Sequence, residues 1–292
     1  MKAPPFTYIK PTTIDSCLQL LAEHGDEAQV IAGGQSLMPL LNLRLAAPSL
    51  LIDINGLGEL RGIDHEQGCV RIGALERHAD IARSETVRQA VPLLAAAAPH
   101  IAHVAVRERG TIGGSLALAD PAAEWPAGCL ALGAIVELTS TRGVRQVMAE
   151  DFFQGIYETV RQADELLTAV RFPLAGASGE DVFAFDELAR RRGDFAIAGL
   201  ALTARRAGKA LGEVRLAFFG VADRPLLARG AMSAIEGRTL DDVAISAAAA
   251  ALAGELDPPE DPAYPAAYRR RIAGVLLTRT LKRLSLEAQH GA

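Results

Sequence analysis

Cysteine is scarce in this chain, and its three residues, Cys17, Cys69 and Cys129, stand far apart. Zinc and iron–sulfur ligands come at least partly in close pairs, so these read as buried thiols and no metal centre is expected. Positive charge is not in excess either. A formal net charge of −5 gives no general attraction to nucleic acid, and the basic stretch "ARRRGD" at 189 to 194 has no aromatic-lined basic surface around it. Long uncharged apolar runs are missing, which excludes a membrane-spanning helix. "MKAPPFTYIKP" lacks the apolar core and cleavage signal of an export peptide. The expectation is a cytoplasmic chain that reaches a membrane only through partners. Neither GxGxxG nor GxxxxGK[ST] occurs, so a doubly wound nicotinamide site and a P-loop ATPase both lose ground. There is no solenoid repeat.

What remains is a chain of 292 residues, half of them hydrophobic, enough for a sizeable core in one large or two to three small domains. "FTYIKPTTIDSCLQLLAEHG" predicts a short strand and then a helix capped by Thr12, with Asp15 at the capping-box position and Gly25 at the exit. "AQVIAGG" predicts a strand entering a glycine turn, "SLMPLLNLRL" a buried turn of helix, and "SLLIDI" and "CVRIGAL" further strands. Residues 76–100 are helical in composition, with Pro92 marking a new start. "PAAEWPAGCLALGAIVELTS" predicts a helix yielding to a strand, and "ELLTAVRFP" another strand. The small, polar segment 174–182 is the domain boundary. Beyond it, "DFAIAGLALTARR" and "GEVRLAFFGVADRP" predict two long antiparallel strands, followed by helices in 240–256 and from Pro265 onward. The fold class is therefore α+β, with parts at 1–58, 59–175 and 176–292.

Two glycine pairs carry the chemistry: "AGGQS", Ala32 to Ser36, and "TIGGS", Thr111 to Ser115. A diphosphate needs several hydrogen-bond donors, and successive backbone N–H groups supply them where no side chain blocks approach. Gly33 with Gly34, and Gly113 with Gly114, meet that need, while Gln35, Ser36, Thr111 and Ser115 add polar side chains. A β-carbon at Gly33 or Gly114 is expected to collide with phosphate. Each pair alone is also an ordinary turn. Two of them suit one extended dinucleotide held from two sides.

In order along the chain, "IAGGQSLMPLLNLRLAAPSLLIDI", "IGALERHADIARS", "HVAVRERGTIGGSLALADPAAEWPA" and "RRRGDFAIAGLAL" resemble the medium, FAD-binding subunits of the molybdenum hydroxylases, including carbon monoxide dehydrogenase and the flavin domain of xanthine dehydrogenase. The likeness runs from about residue 4 to 285. It implies that Ala32, Gly33, Gly34, Gln35 and Ser36, together with Thr111, Ile112, Gly113, Gly114 and Ser115, wrap FAD and donate to its pyrophosphate. Ser115 stands where the family often has asparagine, so the backbone role carries over better than a side-chain contact. Glu124, with Asp120 as its rival, falls where an acidic residue meets the cofactor's hydroxyls; a carboxylate can accept two hydrogen bonds from a ribose diol. Local capping and an Asx turn are the plain alternatives for these two. Ile101 and Leu167 match apolar positions around the cofactor and would otherwise be core. His100 and His103 have no partner cluster for a metal. Phe195 matches an aromatic near the isoalloxazine ring, and Asp194 is expected to pair with Arg191 or Arg192.

The resemblance further implies an electron-transfer role. A small subunit would carry two [2Fe-2S] clusters and a large subunit the molybdenum cofactor, where substrate is hydroxylated, in a dimer of heterotrimers. Electrons would cross the clusters to FAD here and leave to an external acceptor. No acid, base or nucleophile is required of this chain. The alternative is a free-standing FAD oxidoreductase acting directly on a small molecule, which would need such groups.

Overall fold

The computed structural model describes residues 2–174 and 180–290. Most of the expected boundary segment lies outside them. The chain builds three principal sheets, each with its own apolar cluster. First comes a small parallel sheet in which Leu50–Asp53 lies between Thr7–Ile9 and Ala28–Ile31. Helix Ile14–His24 covers it with Cys17, Leu18 and Leu21. Its cap is Thr13, not Thr12. The Thr13 hydroxyl accepts from the Ser16 N–H at 3.1 Å, and the Ser16 hydroxyl sits 3.3 Å from the Thr13 N–H that bonds to it. Serine closes the capping box in place of the expected acid, one residue later.

The helix Leu37–Leu43 forms where "SLMPLLNLRL" predicted it, but it is not a buried turn. Leu41 is its one fully buried residue, and Met38 and Leu43 are exposed, as is Leu45 beyond it.

The second sheet is antiparallel, in the order Ile63–Glu66, Cys69–Gly73, Leu166–Pro173, Ile135–Ser140, Gly143–Met148. Short helices lie against it, and Pro92 opens one of them, Pro92–Ala97, as expected. Helix Glu124–Ala131 is buried at all eight positions, because it is covered on both sides. It packs on strands Ala196–Ala207 and Ala210–Phe219 of the third sheet, and Phe219, Ala196, Ala201 and Ala217 join the same cluster as Trp125, Leu130 and Val136.

The third sheet pairs Glu180–Ala189, Ala196–Ala207 and Ala210–Phe219 antiparallel. The two expected long strands are present, and Glu180–Ala189 is a strand that the sequence reading did not recognise. Both faces of this sheet are covered. Helices Asp242–Ala253 and Ala266–His290 bury a separate cluster on the face opposite Trp125. This explains why Ala196–Ala207 is rich in small residues and almost wholly buried. The three cysteines are free and buried, and burial pushes the Cys17 thiol up to about 11.

Candidate functional site

The first glycine loop leaves the C-terminal end of Ala28–Ile31 in the parallel sheet, and the second leads into helix Ile112–Leu118 beside the antiparallel sheet. The two meet directly. A β-carbon built on Gly33 would lie 2.3 Å from the Arg109 carbonyl oxygen and 2.8 Å from the Gly110 Cα. Glycine at 33 is therefore dictated by contact between the loops. The collision expected with phosphate is, at this position, a collision with protein. Gly34 follows with φ +70°, the left-handed turn that glycine adopts at little cost.

The loops differ in what they can offer. Among the described residues, the backbone N–H groups of Gly33, Gly34, Gln35 and Ser36 donate to no protein acceptor. They form a run of available donors, with the Ser36 hydroxyl alongside, since Ser36 makes no side-chain cap bond. Gln35 spends part of its amide on the Gly33 carbonyl, at 3.1 Å.

The second loop has used its donors internally. The N–H of Ile112 bonds the Glu76 carbonyl at 3.1 Å, that of Gly113 the Ala74 carbonyl at 3.0 Å, and that of Ser115 the Thr111 carbonyl at 3.0 Å. The Gly114 N–H bonds the Thr111 hydroxyl at 3.1 Å. Gly113 serves close packing instead: its missing β-carbon would sit 2.6 Å from that of Ala74. The N–H donors are thus available at the first loop and spent at the second, where the buried Thr111 hydroxyl caps the helix, Ser115 keeps its hydroxyl and Gly114 is exposed.

Past helix Ile112–Leu118 the chain turns at Ala119, φ 55°, and Asp120 makes an Asx turn, its Oδ1 accepting from the Ala122 N–H at 2.9 Å. The plain reading of Asp120 is thus realised. Glu124 opens the buried helix and is 8% exposed. Burial, with Glu187 and Asp120 nearby, pushes its carboxyl up to about 8. At neutral pH it holds a proton and can donate as well as accept. Burial raises Asp120 too. Glu187 lies in the unrecognised strand; one oxygen is 3.1 Å from His100 Nδ1 and the other, Oε2, is buried without a hydrogen-bond partner.

Ile101 and Leu167 lie in the second apolar cluster. The Ala102 backbone beside Ile101 packs closely on the "RRRGDFA" turn: a β-carbon built on Gly193, whose φ is +87°, would lie 2.7 Å from the Ala102 carbonyl oxygen. That contact carries Asp194 and Phe195 to the edge of the second part of the fold. Phe195 is 74% exposed. Asp194 does not form the expected pair: among the described residues it bonds neither Arg191 nor Arg192 through its side chain, and its N–H closes the turn on the Arg191 carbonyl at 3.0 Å. Both arginines lie exposed, where water outcompetes such a pair. His100 and His103 belong to no metal-ligand group among the described residues.

The donor set fits a diphosphate. Four available N–H groups in one loop, the Ser115 hydroxyl in the facing loop, a buried carboxyl at Glu124 and an exposed aromatic at Phe195 are groups that an extended flavin dinucleotide can use.

Residues 4–175 match the family model described as the FAD binding domain in molybdopterin dehydrogenase, and residues 183–284 the CO dehydrogenase flavoprotein C-terminal domain. Caffeine dehydrogenase subunit beta of Pseudomonas sp. (strain CBB1) is 35% identical over 99% of this chain and 98% of its own. Carbon monoxide dehydrogenase from Hydrogenophaga pseudoflava superposes with a TM-score of 0.92 at 38% identity, covering 96% of each chain. Quinoline 2-oxidoreductase from Pseudomonas putida 86 gives 0.92 at 36% identity over 99% of each. With the glycine loops, the three sheets and these likenesses in agreement, the chain belongs to the FAD-binding medium subunits of the molybdenum hydroxylase family.

Proposed function

We propose that this chain is the electron-transfer station of a molybdenum hydroxylase, receiving electrons from [2Fe-2S] clusters on a small subunit and passing them to an external acceptor, while a large subunit with the molybdenum cofactor hydroxylates the substrate. The supporting observation is the meeting of two glycine loops from different sheets, one with its N–H donors available. When bound there, FAD supplies the chemistry of accepting and releasing electrons singly or in pairs.

The chain's own residues bind and orient. The N–H groups of Gly33 to Ser36 hold the diphosphate charge, with Ala32 as the approach to the loop; Thr111, Gly114 and Ser115 close on it from the facing side, where Ile112 and Gly113 fix the backbone. Glu124, and Asp120 beside it, meet the cofactor's hydroxyls. Phe195, seated with Asp194 by the Gly193 contact, offers an apolar surface that excludes water, and Ile101 and Leu167 stiffen the wall behind. The reading takes the chain as parts 1–58, 59–175 and 176–292, with the site between the first two and the third at its rim; what supports it is that each part carries its own sheet. No helix among the described residues is long and apolar enough to cross a membrane.

The test is electron flow in the assembled complex. Purified through a tag on this chain, the assembly should contain FAD, iron and molybdenum, and flavin released by denaturation should be FAD. After removal of the flavin, substrate should still bleach the iron–sulfur absorbance while delivery to the acceptor stops. Undiminished delivery without flavin, or a lone chain that oxidises the substrate by itself, would reject the relay.

A further inference from the structure

Between the loops runs a chain of hydrogen bonds that neither glycine motif contains. Asn55, in the turn after Leu50–Asp53, donates its side-chain N–H to the Ala32 carbonyl at 2.7 Å. It is itself held by Asp53, whose Oδ1 accepts from both the Asn55 side chain, at 2.7 Å, and its backbone N–H, at 2.9 Å. The other oxygen of Asp53 accepts from the Tyr8 hydroxyl. Asn55 Oδ1 accepts from Arg77 Nη2 at 2.7 Å. Arg77 Nη1 donates to the Arg109 carbonyl, the oxygen packed against Gly33. Arg77 also pairs through its backbone with Thr111. One planar guanidinium thus ties Ala32, through Asn55, to the residue preceding Gly110.

We propose that Arg77 and Asn55 are positioning residues for the diphosphate, forming a strut that sets the spacing of the two glycine loops and aims the donors of the first. The inference rests on the FAD reading above. In a trans peptide the carbonyl and the following N–H point in opposite directions. Holding the Ala32 carbonyl toward Asn55 therefore turns the Gly33 N–H the other way, and the three N–H groups after it are carried by the same rigid turn. Preorganised donors of this kind raise affinity by sparing the ligand the cost of ordering them. The placement is costly in the free protein. Arg77 is partly buried with Arg61 and Arg109 near it, and burial first, then these two cations, hold its guanidinium below its ordinary pKa. A bound dianionic diphosphate would relieve that repulsion.

The geometry separates a strut from a mere positive charge. A lysine keeps the charge but not the fork that reaches two acceptors in one plane. In the full-length chain freed of flavin, Arg77→Lys, Arg77→Gln and Asn55→Ala should each raise the dissociation constants of FAD and of ADP by about tenfold, the equivalent of one charge-assisted hydrogen bond. ADP carries the diphosphate without the flavin ring, so an equal loss for both ligands places the effect at the loops. The double variant Asn55→Ala/Arg77→Gln should bind no worse than the poorer single variant by more than a factor of about two, because the two side chains act as one unit. Circular dichroism should match the parent in each case; if Arg77→Gln does not fold, Asn55→Ala and Arg77→Lys carry the test. Wild-type affinity in Arg77→Lys with loss in Arg77→Gln would overturn the strut in favour of charge alone. Unchanged affinity in all three, or fully additive losses, would overturn it outright. A wild-type chain that took up neither FAD nor ADP would reject the FAD reading and the strut together.

Discussion

Glu124 shows how one residue's surroundings decide its chemistry. Its carboxyl is taken out of water at the start of a fully buried helix, with Asp120 and Glu187 adding like charge, and it is held at about 8. A carboxyl raised above its unfolded value, roughly 4.3, stabilises the fold fully below that lower value and loses the contribution as pH rises toward the folded one. Between about 4.3 and 8 the native state keeps a proton that the unfolded chain has released, so stability falls with rising pH. The flavin-free protein should accordingly show a descending unfolding midpoint from pH 5 to 8, flattened in Glu124→Gln, which is permanently neutral and nearly isosteric. Equal slopes in the two proteins would mean that Glu124 is ionised in the fold. The sequence marked Glu124 only through its resemblance to the family; what raises it, the strand bearing Glu187, was not legible, because partners that meet only through tertiary packing leave no local pattern.

The elements that carry the glycine loops were easier to read than the way they meet. Short apolar runs bounded by turn residues predict strands, and "AQVI", "LLID", "CVRIG" and "LLTAVRFP" are all strands. Fixed backbone chemistry governs those positions. The contact of Gly33 with Arg109 and Gly110 joins residues far apart in the sequence and was invisible there, as were Asn55 and Arg77, which resemble any loop asparagine and surface arginine. The loop contact makes a graded expectation. Gly33→Val would push the Arg109 carbonyl away, separating the loops, and should cost about 1–3 kcal/mol of stability, as overpacking does, with loss of most bound flavin. Gly114→Ala should leave the loops together, since its β-carbon would meet only the Thr111 hydroxyl, at 2.9 Å; displacing that hydroxyl gives up the helix cap it forms with the Gly114 N–H, about 1 kcal/mol, with less flavin lost than in Gly33→Val. Flavin content of the purified variants and their thermal midpoints measure both. A Gly33→Val protein with full flavin would show that the loops can part without consequence.

At the scale of the whole molecule, the boundary between residues 174 and 182 suggests two separable pieces, and the two family matches fall on either side of it. The packing argues against independence. Helix Glu124–Ala131 has every residue buried because strands Ala196–Ala207 and Ala210–Phe219 cover one side of it, and Phe219 lies in the cluster of Trp125. Polar ties reinforce the joint: the Gly220 N–H bonds the Pro121 carbonyl at 2.8 Å, and Arg215 bonds both the Leu130 carbonyl at 2.8 Å and Glu150 at 2.5 Å. The parallel sheet is joined to the same body, since Leu75 and Leu166 complete its cluster. Removing residues 175–292 would therefore uncover apolar surface that water should not reach and loosen the helix that begins with Glu124. The intact chain should unfold in one calorimetric transition, with van't Hoff and calorimetric enthalpies equal. The fragment 1–174 should bind a hydrophobic dye, self-associate and hold FAD poorly. A monomeric fragment with full FAD affinity and its own sharp transition would show instead that the third sheet is an appendage, and that the burial of Glu124, with the pH dependence drawn from it, is not needed for the cofactor to be held.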